Sequence, residues 1–307
     1  MITPRKTNIK LTNEDYKILS EYRIYEAQGV NFENVVPEYH RVRDLILYEF
    51  PRNKFYIDDT LGVKRKTYNI KDSLFGDEFT FKINVFSFTS YEYDTKKSEY
   101  TTLKKAAIDK KNHILYATLT IIDGNLLSGE LMNTLGHELH HYFETELSHS
   151  KYNEKPLYDI AIEIINGNYS SKQEAYFKQC FGYGLYLSFK EEREGFANGL
   201  YARLMDNRKD INYYSLEELC RHDESYPLLV MLRYITDKME ENNFNENEKV
   251  WIDDILQITG FKWKRMVWKI KFTHEDFERR IKNIKRLIIS RLKLHEDIIF
   301  TPFNLLD

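Results

Sequence analysis

The chain has 307 residues, 42% of them hydrophobic and 15% aromatic, with 23 Tyr and 19 Phe; this excludes a disordered polymer and supplies enough apolar mass for one large domain or two modest ones. The net charge is only −3, yet residues 261–293 carry twelve Lys and Arg against Glu275, Asp276 and Glu278, which points to an acidic partner for the C-terminal end. Cys180 and Cys220 are too few for a disulfide framework, and neither an N-terminal apolar signal nor a membrane-length apolar run is visible, so a soluble protein of the reducing cytoplasm is expected.

In chain order, Thr12-Asn13-Glu14-Asp15 predicts an N-cap and a helix to about residue 27. A second helix, from Pro37 to Pro51, carries Val42, Leu45, Ile46 and Phe50 on one side. The two form a helical pad. Residues 79–89 alternate apolar and polar at the period of a strand, residues 101–109 and 113–122 are further strand candidates, and Asp109-Lys110-Lys111-Asn112 suits a hairpin turn. These predict a small antiparallel sheet. Asp123-Gly124-Asn125 ends the last strand, and Ser128, with Glu130 in the first turn, opens a helix over residues 128–147.

Helical patterns fill the remainder. Residues 156–165 form one helix closed by Gly167. Ser171 opens a long helix, or two, reaching about Met205. Ser215 and Glu218 form a capping box, and residues 227–239 are apolar enough for core. Residues 240–248 are the best linker candidate, dividing the chain into residues 1–240 and a basic helical region, residues 241–307. That region reads as helix 250–259, a stop at Gly260, helix 261–271, and a helix capped by Thr273 with Phe277, Ile281, Ile284 and Ile288 as its stripe.

Chemistry concentrates in the helix over residues 128–147. Leu131, Met132, Leu135, Leu139, Tyr142 and Phe143 form its apolar side, while His137 and His141 lie one turn apart on another face, where they can grip one cation. Glu138 follows the first histidine directly, giving H-E-x-x-H, and can reach water bound to that cation. Gly136, costly inside a helix, marks a close approach of backbone or substrate. A catalytic zinc takes three protein ligands and an open position. A third histidine in the H-E-x-x-H-x-x-G-x-x-H arrangement is excluded, because Glu144 and Leu147 occupy the required places. A glutamate from a later helix is the other common solution, and residues 191–202 offer Glu191, Glu192 and Glu194.

This second segment resembles the gluzincins, the H-E-x-x-H-plus-Glu zinc peptidases, and in particular compact bacterial and phage forms that carry E-x-x-A-N after the first helix. Glu194-Gly195-Phe196-Ala197-Asn198 matches that motif. The resemblance covers residues 100–205, and the 52 residues between His141 and Glu194 exceed the spacing of the compact forms. It implies an α+β, zincin-like fold with one Zn2+ held by His137, His141 and Glu194. Asn198 would then orient a ligand histidine, with the small residues at 195, 197 and 199 allowing close helix packing. The residues alone leave Glu191 and Glu192 open as alternatives, and His140 reads as a decoy or a surface residue beside the ligand pair.

The activity implied is hydrolysis of a peptide or protein substrate, with Glu138 moving the proton. Substrate backbone would add to an edge strand at residues 101–108 or 113–120, and Tyr201 and His222 are candidate transition-state donors. Two other readings stand beside it: a non-catalytic, phage-encoded protein that keeps the zincin shell, and nucleic-acid binding through Lys262, Lys264, Arg265 and Lys269, in a helix–Gly260–helix outline like a helix-turn-helix.

Overall fold

The computed structural model describes residues 61–74, 77–103, 106–126, 128–147, 155–207 and 211–294, together with 12–14, 17 and 56–57. The helical pad expected at residues 12–50 therefore lies almost wholly outside the described residues. Six strands form one sheet: β1 (Tyr56–Ile57), β2 (Lys64–Leu74), β3 (Asp77–Phe88), β4 (Ala107–Asp109), β5 (Ile114–Ile122) and β6 (Asn125–Leu126), in the order β1-β2-β3-β5-β4 with β6 also on β5. The expected antiparallel sheet is in fact mixed. β2 and β3 run antiparallel from Leu74↔Asp77 to Lys64↔Ser87, but β3 and β5 are parallel, from Thr80↔Ile114 to Phe88↔Ile122.

The reason is a crossover helix, α1 (Ser90–Leu103), between β3 and β4, since parallel neighbours need a long connection. It takes residues 101–103 of the strand expected at 101–109, of which residues 107–109 form β4. Its start is a capping box: the Thr89 backbone N–H donates to Glu92 Oε2 at 2.7 Å, and the Glu92 N–H donates to Thr89 Oγ1 at 3.2 Å. The 109–112 turn forms as expected, with the Asn112 N–H donating to Asp109 Oδ1 at 3.1 Å and His113 in left-handed backbone.

One face of the sheet, bearing Tyr68, Phe81, Ile83, Val85, Leu115, Ala117 and Leu119, packs in a single core with the apolar side of α2 (Ser128–Leu147). The helices that follow are α3 (Lys155–Asn166), α4 (Lys172–Tyr186), α5 (Lys190–Asp206), α6 (Tyr213–Arg221), α7 (Ser225–Glu241), α8 (Glu246–Thr259) and α9 (Trp263–Leu292). The long helix from Ser171 is thus two, broken at residues 187–189. The two expected after Gly260 are one, because Thr273 donates back to the Lys269 carbonyl at 2.8 Å instead of capping a new start.

Phe277, Ile281, Ile284, Leu287 and Ile288 of α9 join the sheet core, while its first turns join a second core with α3, α4 and α8. The connection at 242–245 is a tight turn closed by a capping box of Asn245 and Glu248. Lys238 Nζ reaches both Glu248 oxygens, at 2.7 and 2.8 Å. Among the described residues, no helix is long and apolar enough to cross a membrane.

Candidate metal centre

The spacing between α2 and α5 is set by side chains that are absent. A Cβ on Gly136 of α2 would lie 2.8 Å from the Asn198 carbonyl oxygen and 2.9 Å from the Ala202 Cβ. A Cβ on Gly199 would lie 2.8 Å from the Asn133 carbonyl oxygen, and one on Gly195 3.0–3.1 Å from the His137 ring. Glu192, Gly195, Gly199 and Ala202 stand at i, i+3, i+7 and i+10, a single helical face. That face lies against α2 and delivers Glu192 to the histidines.

His137 Nε2 and His141 Nε2 are 3.1 Å apart, and Glu192 Oε2 lies 3.5 Å from the first and 3.6 Å from the second. Donors at 2.0–2.1 Å on a tetrahedral zinc sit roughly 3.3 Å from one another, and the three observed separations bracket that value. His137 and Glu192 are buried and His141 is half-buried. This is the His-His-Glu group that can hold a metal ion among the described residues. Burial favours the neutral His137 ring, but the hydrogen bond it donates to Glu192 and the charges of Glu138, Glu192 and Glu224 raise its pKa overall. Glu138, buried next to it, is pushed up mainly by desolvation, against the opposing pull of His137 and His141. Burial also pushes Glu192 up, yet its contacts with the two histidines win and hold it well below the ordinary carboxylate range.

The third donor of the group is thus the Glu192 carboxylate, and Glu194 is elsewhere. Two residues apart on a helix point roughly 200° apart, so only one can face the histidine pair. Glu194 is fully buried on the other side. Its Oε1 lies 3.4 Å from both Lys190 Nζ and Arg280 Nη1, and its Oε2 lies 3.7 Å from His140 Nε2. Asn198 shares that side: its Nδ2 reaches His140 Nδ1 at 3.2 Å and the Glu194 carbonyl at 2.8 Å. Asn198 orients a histidine, then, but His140 instead of His137 or His141. Glu191 is half-buried and outside the group.

Neither proposed donor faces the centre. Tyr201 is fully buried and its hydroxyl accepts from Arg291 Nη1 at 2.6 Å. His222 is the exposed C-cap of α6, its carbonyl accepting from Arg203 Nη1 at 2.8 Å. The sequence reading missed Tyr186 and Tyr158. The Tyr186 hydroxyl donates to Glu192 Oε2, the oxygen that faces both histidines. The Tyr158 ring packs on Tyr186, with centroids 5.5 Å apart, and its hydroxyl interacts with Tyr186 and Glu192. Nothing in the local sequence flags these two among 23 tyrosines. Comparison with protein families, with curated proteins and with solved structures gives no match.

Proposed function

We propose that the protein is a zinc-dependent peptidase of the gluzincin type, with His137, His141 and Glu192 as metal ligands and Glu138 as the proton carrier. The observation that carries this reading is the convergence of three protein donors, at tetrahedral spacing, next to a buried glutamate. Structural zinc sites take four protein ligands, whereas catalytic sites keep one position open; among the described residues three converge. Zinc in such a site supplies Lewis acidity toward a carbonyl and acidifies water. Glu138, with its pKa raised by burial, is suited to take a proton from water as it adds to the peptide carbonyl. It then delivers that proton to the departing amine, so that one C–N bond and one water give a carboxylate and an amine. Tyr186 fixes the Glu192 carboxylate. β5 is interior, between β3 and β4, which leaves β4 beside α2 as the strand for an extended substrate to join.

The test combines metal content with cleavage of a peptide library. Wild type is expected to hold one zinc and cleave, and Glu138→Gln to hold zinc without cleaving. Wild type that binds zinc but is as inert as Glu138→Gln would retire the peptidase reading and leave a metal-binding protein of another kind.

A further inference from the structure

The basic C-terminal region has no part in the metal centre, and the fold gives it a definite form. Residues 261–272 carry five cations, Lys262, Lys264, Arg265, Lys269 and Lys271, and no acid. Because the far side of α9 is core, its outer side is a single stripe. Residues at i±3, i±4 and i±7 share such a stripe. Trp268 is there with Lys264, Arg265, Lys271, Phe272 and, further along, Arg279, all of them exposed. Glu275 and the half-buried Glu278, paired with Lys282, are acids on the same side, Lys271 pairs with Glu240, and Arg279 with Asp276.

In the middle of these charges stand two large exposed rings. Trp268 is 67% and Phe272 47% exposed, and they stack with centroids 5.7 Å apart and planes 13° from parallel. The Phe272 ring is backed by the Arg193 guanidinium, 5.8 Å from its centroid. Arg193 is itself locked by Asp276 Oδ2 at 2.8 Å and the Leu187 carbonyl at 2.5 Å. A lone exposed aromatic needs no explanation, but a fixed, stacked pair among cations does.

We propose that this face of α9 binds single-stranded nucleic acid, the cations meeting phosphates and the Trp268–Phe272 pair receiving an unpaired base. Polyanions answer the charge. The flat stacked rings narrow the choice, because unpaired bases present π-faces that a duplex keeps internal and that acyl chains and acidic peptides lack. The inference is independent of the metal centre.

The experiment uses the full chain and a fluorescent oligothymidylate of about sixteen nucleotides, read by anisotropy across a salt series. Binding is expected, with log K falling against log salt by about 0.7 per phosphate neutralised. Trp268→Ala with Phe272→Ala should weaken it about tenfold or more and leave the salt slope unchanged, with Trp268→Tyr restoring most of the loss. Lys264→Ala with Arg265→Ala should flatten the slope. Circular dichroism of each variant checks that α9 is intact, and Glu138→Gln should bind as wild type does. No binding at low salt would overturn the proposal. So would equal affinity for a duplex with no effect of the aromatic variants, or retention on phosphatidylserine vesicles without retention of the oligonucleotide.

Discussion

At the scale of single residues, the site turns on two glutamates two positions apart. Glu192 faces the histidine pair, while Glu194 is fully buried among Lys190, Arg280 and His140. The two should fail differently. Glu192→Ala is expected to lose zinc while the fold persists, because it removes a ligand without stranding a buried cation. Glu194→Ala is expected to keep zinc and lose about 3 kcal/mol of stability, since it breaks a buried ion pair by removing one of the carboxylates that hold Arg280, which keeps Asp276. Metal analysis and urea unfolding of the two variants side by side check this, and zinc loss from Glu194→Ala alone would return the ligand role to Glu194. Tyr186→Phe tests the support of the ligand. Removing the hydroxyl that donates to Glu192 Oε2 should weaken zinc affinity about 10–100-fold with little change in unfolding, measured by competition with a chelating dye.

At the scale of elements, the α2–α5 pair is made by glycine. Gly136→Ala places a methyl 2.8 Å from a backbone oxygen, and neither helix can give way without moving the other. A loss of about 1–3 kcal/mol is expected, as for other overpacked contacts, measured by thermal unfolding. Gly195→Ala meets the His137 ring instead of backbone, so its larger effect should fall on zinc affinity. This packing also explains what could be read in advance. H-E-x-x-H lies within one helix, so the histidine pair and the adjoining Glu138 were legible from spacing alone. The third donor, a carboxylate, depends on which face of α5 meets α2. Glu194-x-x-Ala197-Asn198 drew attention to one side of that helix, while Gly195, Gly199 and Ala202, which mark the packed face, point to Glu192. α1 was missed for a related reason: its Tyr- and Thr-rich sequence lacks an apolar stripe and looks like strand, and Thr89-x-x-Glu92 was the signal that could have found it. β2 was missed because its sequence is largely polar, and among its described side chains Tyr68 and Ile70 are the ones that join the core.

At the scale of the whole molecule, α9 ties the C-terminal end to the centre. Its apolar side enters both cores, and Asp276 and Arg280 link it to α5 in a buried chain of ion pairs that runs from Arg193 through Asp276 and Arg280 to Glu194. Burial pushes the Asp276 carboxyl up, but hydrogen bonding and attraction from Arg280, then the charge of Arg193 and the contact with Arg279, outweigh it and hold its pKa below the ordinary value. The sign follows from linkage. With its pKa lowered on folding, Asp276 binds a proton less tightly in the folded state than in the unfolded chain. Its stabilisation is therefore complete above the ordinary carboxylate range and fades as pH falls through the folded value. Asp276→Asn should cost about 3 kcal/mol near neutral pH, the penalty for stranding buried guanidinium groups. The gap between variant and wild type should narrow at a pH below the ordinary carboxylate range, where the wild-type carboxyl takes up its proton. Urea unfolding of both proteins at the two pH values, with chelator present so that histidine–metal competition does not contribute, measures it. A gap that stays constant with pH would mean that the C-terminal helix is held to the site by packing alone.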